Sequence, residues 1–206
     1  MSKDEPEPRV STKVIGITGG IGSGKSTVSQ FIEENGYAVY YSDQRAKDIV
    51  NDDPQLKEKI TELLGVHAYD GTGAYDRKYV AAAVFADEAL LHQLNGLIHP
   101  AVKTDFQKWA DAQEAPLVFK ETALLFELKL NESCYKSLLV TADDNCRLKR
   151  VMDRDDKTYR EVEAIMLQQM PEKDKVKLAD YVIYNNGTLE ELRQQTEQTL
   201  KEMIGI

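Results

Sequence analysis

Gly19-Gly20-Ile21-Gly22-Ser23-Gly24-Lys25-Ser26 is the stretch from which this chain is read. It satisfies G-x-x-x-x-G-K-[ST], the phosphate-binding loop of nucleoside triphosphate enzymes. Before it runs Lys13-Val14-Ile15-Gly16-Ile17-Thr18, short, apolar and β-branched, which reads as a buried parallel strand. After it, apolar Val28, Phe31 and Ile32 recur at helical spacing and Gly36 supplies a stop. Strand, glycine loop and helix are the context the motif requires. A glycine-rich turn that binds nothing is the plain alternative, and this context disfavours it.

The chemistry of each position follows. Glycines let the backbone turn tightly and bring successive N–H groups to phosphate oxygens. The helix start adds partial positive charge at the same place. Gly20, Gly22, Ser23, Gly24, Lys25, Ser26 and Thr27 are therefore candidate nucleotide-binding residues. Lys25 is expected to reach the β- and γ-phosphates. Ser26 is expected to ligate a magnesium ion that keeps most of its waters.

The chain has 206 residues and a net charge of −9, with 35 acidic against 26 Lys and Arg residues. That suits one domain with a small insertion. The acidic balance repels nucleic-acid backbones and disfavours a general nucleic-acid binder. Cys134 and Cys146 match no zinc spacing and build no disulfide framework, which suits a reducing cytoplasm. No apolar run is long enough to span a bilayer. Residues 1–12 are polar, lack a signal-peptide core and are expected to form a loose tail.

Along the chain, Tyr37 to Tyr41 reads as a second strand, with Ser42 and Asp43 just past it. Helical segments follow at about 44–51, 54–64, 76–85 and 87–112. Pro100 should kink the last of these or cut it in two. Strands are expected at 116–120, 135–141 and 179–184. Helices are expected at 143–154, from an acidic N-cap, and at 158–170 and 188–203. Pro171 to Lys177 has no apolar stripe and reads as an exposed loop or short helix. Strands alternating with helices imply an α/β three-layer sandwich around a five-stranded parallel sheet, with ligand at the strands' carboxyl ends. The stretch 44–112 is too long for one crossover and reads as an inserted helical subdomain within a single kinase domain, 13–203.

No Asn-Lys-x-Asp tetrad for guanine occurs. Leu138-Leu139-Val140-Thr141-Ala142-Asp143 fits poorly as the acidic strand of a motor or transport ATPase. Small size, the insertion and a late basic segment point to a small-metabolite kinase.

Further landmarks carry a resemblance. Ile15 to Val28, Asp43, Leu97-Ile98-His99-Pro100, Ala123-Leu124-Leu125-Phe126-Glu127, Arg147 to Asp155 and Ala179 to Gly187 together resemble dephospho-coenzyme A kinases in order and spacing. The likeness runs from about 14 to 200. Two departures stand out. Tyr41 replaces the first aspartate of the family's Asp-Ala-Asp, and Glu121-Thr122-Ala123 replaces an apolar run ending in proline.

The resemblance implies transfer of the ATP γ-phosphoryl group to the 3′-hydroxyl of dephospho-coenzyme A, a small-molecule partner, in the last step of coenzyme A biosynthesis. It implies the cofactors ATP and Mg2+, a cytoplasmic location, no nucleic-acid or membrane partner, and a monomer or small homo-oligomer. Asp43 would be the general base or orienter, its local alternative being an N-cap for the helix at 44. Lys25 and Arg150 would complete the catalytic set, with Arg150 neutralising charge on the transferred group. Arg154, one turn later, is a second candidate. His99, Leu124 and Glu127 would line the acceptor pocket. Lys173, Lys175 and Lys177 would belong to a lid at about 171–178, or simply to a solvated charged loop. Asn185 would contact the nucleotide together with Gly187, unless Asn185-Asn186-Gly187 is only a turn.

Two other readings stay open on the sequence. One is a kinase for another nucleoside or nucleotide, which shares the loop but not the Leu-Ile-His-Pro and Ala-Leu-Leu-Phe-Glu landmarks. The other is a nucleotide-dependent switch that transfers nothing, for which Asp43→Asn should matter little.

Overall fold

The computed structural model describes residues 12–85 and 87–205; the expected tail, apart from Thr12, lies outside them. In chain order the strands and helices are β1 (Lys13–Thr18), α1 (Lys25–Glu34), β2 (Val39–Tyr41), α2 (Ser42–Asp52), α3 (Pro54–Leu64), α4 (Arg77–Phe85) and α5 (Glu88–Asp111). Then follow β3 (Leu117–Glu121), β4 (Lys136–Thr141), α6 (Asp144–Asp155), α7 (Tyr159–Leu167), α8 (Glu172–Leu178), β5 (Tyr181–Tyr184) and α9 (Leu189–Ile204). The chain forms two compact units. Tyr41–Ala112 makes one, and the chain on either side of it makes the other.

The flanking unit is built on an all-parallel sheet of order β2-β3-β1-β4-β5. β1 pairs with β3 on one side and β4 on the other. The strand order therefore reverses at β1, the place where open parallel sheets bind ligand, and the glycine loop departs from its carboxyl end. Parallel strands are covered on both faces, so they carry continuous apolar runs. In β4, Ser137 to Thr141 are all buried. Ile15, Ile17, Val118, Phe119, Leu138, Leu139 and Val140 form the sheet's share of the core. α1 contributes Val28, Phe31 and Ile32, and packs against α9, which contributes Leu192 and Leu200. The Arg193 guanidinium lies 4.1 Å from the Phe31 ring centre and pairs with Glu34 at 2.6 Å. A second cluster joins Leu148, Val151 and Val162 of α6 and α7 to the side chain of Ile21.

The inner unit is helical. Asp53 caps α3 by accepting from the N–H groups of Gln55 (2.9 Å) and Leu56 (3.1 Å), and Pro54 occupies the first turn, where its missing N–H does no harm. Ile49, Val50, Leu56, Ile60, Leu94 and Val102 are buried within the unit. The Tyr69 hydroxyl donates to Val50 O at 2.9 Å, and burial pushes its pKa up to about 12.

Three expectations are corrected. α5 is one helix through Pro100, so the proline does not cut it in two. The proline forfeits one bond to the Gly96 carbonyl, but Gly96 is exposed, so water can take that oxygen while buried Leu94 and Val102 hold both flanks. Asp143 occupies the N-cap position of α6 but makes no side-chain cap; its N–H instead donates to Asn186 Oδ1 at 2.8 Å. The stretch after Pro171 takes the short-helix alternative, α8, but its Lys175 is fully buried rather than solvated.

Candidate phosphate-binding site

The glycine loop joins the carboxyl end of β1 to the amino end of α1. Gly24 is the N-cap of α1, at φ +96°, and Gly22 lies at φ +77°. Side chains rarely adopt these angles. At Gly24 there is also no room, because an added Cβ would meet the Asn185 amide. The turn closes with Ser23 N–H donating to Gly20 O at 3.1 Å. Lys25, Ser26 and Thr27 form the first turn of α1, the end at which helix N–H groups lack intrahelical acceptors and favour anions. Ser26 is exposed there, whereas Ser23 is buried with a hydroxyl that has no hydrogen-bond partner.

Lys25 is ion-paired with Glu121, the last residue of β3. Glu121 stands beside Ile17 in the sheet register and is only 3% exposed. The loop lysine and a buried carboxylate thus meet at the strands' carboxyl ends. Sequence reading treated Glu121 only as a departure from a pattern. Its signal was a carboxylate closing the apolar run Leu117 to Phe119.

Asn185, just after β5, supports the second half of the loop. Its amide donates to Ser23 O at 2.8 Å, and its own N–H donates to Thr141 O at 2.7 Å. Arg150 donates to the Asn185 carbonyl at 2.9 Å, and its second terminal nitrogen is buried without a hydrogen-bond partner. Arg154 instead pairs with its neighbour Asp155 at 2.6 and 2.8 Å. Arg147, 3% exposed, donates from Nε to Ile21 O at 3.0 Å. Gln169 accepts the Ile21 N–H at 3.0 Å. The sequence reading assigned no role to Arg147 or Gln169 individually; a polar residue before Pro171 carries no periodic signal.

A buried charged cluster adjoins the first half of the loop. Lys175 lies 3.1 Å from Glu127 and 3.7 Å from Glu172. Glu172 accepts from the Thr141 hydroxyl at 2.6 Å and stands 3.6 Å from Arg147. Glu127 also accepts the Met170 N–H at 3.1 Å, while its other oxygen has no hydrogen-bond partner. Of the expected lid lysines, Lys175 is therefore tied into this cluster. Lys177 pairs with Asp174 at 2.8 Å on the surface, and Lys173 is exposed. Leu124 is 37% exposed.

In the helical unit, Asp43 is the second residue of α2, whose N-cap is Tyr41. Asp43 is thus not the cap that local reasoning offered as its alternative role. His99 lies on the exposed side of α5, and partial burial of its ring holds its pKa below the ordinary value. Among the described residues no three His, Cys, Asp or Glu side chains cluster to hold a metal, and no helix is long and apolar enough to cross a membrane.

Comparison with known proteins gives one consistent result. A family model described as dephospho-CoA kinase matches residues 13–191. A dephospho-CoA kinase of Fusobacterium nucleatum is 36% identical over 189 residues, covering 92% of this chain and 97% of the relative. One from Chlorobaculum tepidum is 37% identical over 200 residues, covering 94% and 96%. A crystal structure of a Thermus thermophilus protein superposes with a TM-score of 0.83 at 38% identity, covering 93% of this chain and 98% of the other.

Proposed function

The chain belongs to the dephospho-CoA kinase family, and from that premise we propose how its residues divide the transfer of the ATP γ-phosphoryl group to the 3′-hydroxyl of dephospho-coenzyme A. The observation that carries the proposal is the exposed first turn of α1, where Lys25 meets a buried carboxylate.

Phosphoryl transfer needs alignment and charge neutralisation more than covalent chemistry. Main-chain N–H groups of the loop and the first turn of α1 cradle the phosphates, apart from those of Ile21, Ser23 and Thr27, which are bonded within the protein. Lys25 leaves Glu121 for the β- and γ-phosphates as ATP arrives. Magnesium suits the residues present: it favours oxygen donors, keeps several waters and needs one or two protein ligands. Ser26 offers an exposed hydroxyl, and Glu121 a buried carboxylate whose Oε1 is held by Lys25 until that lysine moves to the phosphates. When bound, the ion neutralises charge that builds on the phosphate oxygens.

Asp43 accepts a hydrogen bond from the acceptor's 3′-hydroxyl and takes its proton as that oxygen bonds to the γ-phosphorus and the bond to the β,γ-bridging oxygen breaks, releasing ADP. Arg150, steadied by Asn185, has one guanidinium nitrogen left to meet ATP. The Asn185 amide is committed to Ser23, so it serves the nucleotide through the loop. His99, whose partly buried ring disfavours the charged form, binds acceptor. Leu124 and the unpaired oxygen of Glu127 serve the same acceptor. The 171–178 segment acts as a support beside the phosphates. The kinase works in the cytoplasm as a monomer or small homo-oligomer.

The test is an ADP-release assay with magnesium ATP and dephospho-coenzyme A, adenosine, AMP or CMP as acceptor. Turnover with dephospho-coenzyme A alone, with coenzyme A found by mass spectrometry, is expected. Turnover with AMP or CMP instead would move the chain to another kinase branch. Silence with all four would favour a nucleotide-dependent switch.

A further inference from the structure

We propose that Gln169 is a positioning residue for ATP, clamping the first half of the phosphate loop through the Ile21 backbone in concert with Arg147. This rests on the kinase reading above. Both polar groups of the Ile21 main chain are held by side chains. Its N–H donates to Gln169 Oε1 at 3.0 Å, and its carbonyl accepts from Arg147 Nε at 3.0 Å. The N–H belongs to the Gly20–Ile21 peptide plane and the carbonyl to the Ile21–Gly22 plane. Two bonds therefore pin the planes on either side of one α-carbon, which sets both of its soft dihedrals.

The neighbours explain why such a clamp is needed. Gly20 and Gly22 flank Ile21, and glycine has the widest backbone freedom of any residue. Ordering a residue's backbone costs conformational entropy. Without the clamp, this half of the loop would sample many arrangements, and its N–H groups would not converge on the phosphates. The other half needs no such help, because Asn185 holds Ser23 O and the α1 helix begins at Gly24.

Gln169 is itself well placed to be a fixed point. It lies in the connection between α7 and α8. The next residue, Met170, donates its N–H to Glu127. Pro171, which follows Met170, leads into α8, which is anchored by Glu172 on Thr141 and by Lys175 on Glu127. On the other side, the Arg147 guanidinium is steadied by Asp144 at 3.2 Å and by Glu172 at 3.6 Å. An added Cβ on Gly20 would run into both Arg147 and Glu172, which shows how closely this support underlies the loop. The observed bond of Gln169 to the loop is made by its acceptor oxygen to Ile21, so its effect on ATP is routed through that backbone.

Gln169→Met keeps the length of the side chain and removes the acceptor; Gln169→Glu keeps an acceptor oxygen at the same reach. Titration calorimetry should show ATP affinity about tenfold weaker in Q169M, the factor that one ordinary hydrogen bond is worth. The KM for ATP should rise in parallel and kcat should fall, while the KM for dephospho-coenzyme A stays within about twofold. Q169E should recover most of the ATP affinity. Unchanged ATP affinity in Q169M overturns the proposal. So does an equal rise in both KM values with a lowered melting temperature that Q169E does not recover, because that pattern reports lost packing. Calorimetric ATP binding is read whatever the acceptor is, so failure of the kinase reading appears separately, as absent ADP release from the unsubstituted protein.

Discussion

Lys25, the first residue of α1, is ion-paired with Glu121, the last residue of β3, and Glu121 is almost wholly buried. The phosphate-seeking charge of the loop is thus neutralised by the protein itself. Breaking such a pair from one side leaves an uncompensated buried charge, which costs about 3–5 kcal/mol. Lys25→Ala should therefore lower the melting temperature as well as activity. The double variant Lys25→Ala/Glu121→Gln should regain much of that stability and none of the turnover. A single Lys25→Ala that melts like the parent would show that the pair contributes nothing to the fold.

The activity loss of Lys25→Ala is a separate expectation. Removing one preorganised charge-stabilising contact costs about 3–4 kcal/mol of transition-state stabilisation. Steady-state kcat/KM should fall roughly 100-fold to 1000-fold, by the same conversion. Near-normal turnover would remove Lys25 from the catalytic set.

Asp43→Asn should separate chemistry from nucleotide binding. Losing a positioned proton acceptor is expected to lower kcat by about 100-fold to 10,000-fold. ATP affinity, measured directly, should stay within about twofold, because a neutral amide at this position removes only the proton acceptor. Parallel loss of ATP binding would point instead to a structural role in α2.

Lys175→Ala leaves Glu127 without its buried cation, while Glu172 keeps Arg147. The expected destabilisation in urea unfolding is about 3–5 kcal/mol. Lys177→Ala, two residues on and exposed beside Asp174, should change stability by under about 1 kcal/mol. Similar values for the two would contradict the burial of Lys175.

Asp180 gives a pH dependence with a definite sign. Partial burial pulls its pKa upward, but hydrogen bonds from Lys136 and Ser137 outweigh that and hold it below the ordinary value. A depressed carboxyl pKa contributes stability that is full above the unfolded value of about 3.9 and is lost as pH falls through the folded pKa. The stability gap between the parent protein and Asp180→Asn should be constant above about pH 5 and shrink below about pH 4. A gap that does not change with pH would show that the carboxylate's charge is immaterial.

Much of the fold was legible because its signals are local. The runs at 13–18 and 54–64 coincide with β1 and α3, since β-branched apolar residues in one case and a proline-led amphipathic turn in the other need no distant partner. Pro100 misled because proline's cost is local whereas what offsets it, burial of Leu94 and Val102, is tertiary. Lys175 misled for the same reason. A lysine in a charged run normally faces water, and the arrival of Glu127 from elsewhere in the chain, joining Glu172 one turn back on α8, makes burial tolerable.

The sequence by itself determined the strand, the glycine loop, the helix start and the residues able to bind phosphate there, because that motif is eight consecutive residues whose chemistry depends on backbone angles and one helix end. Only the tertiary structure decided which distant groups hold the loop in shape: Glu121 on Lys25, Asn185 on Ser23, and Arg147 with Gln169 on Ile21. Their separations in sequence follow from strand order, since β3 and β4 flank β1 although they come much later in the chain. Hydrogen bonds and ion pairs across such distances leave no periodicity in the sequence. They come into being only when the sheet brings its carboxyl ends together.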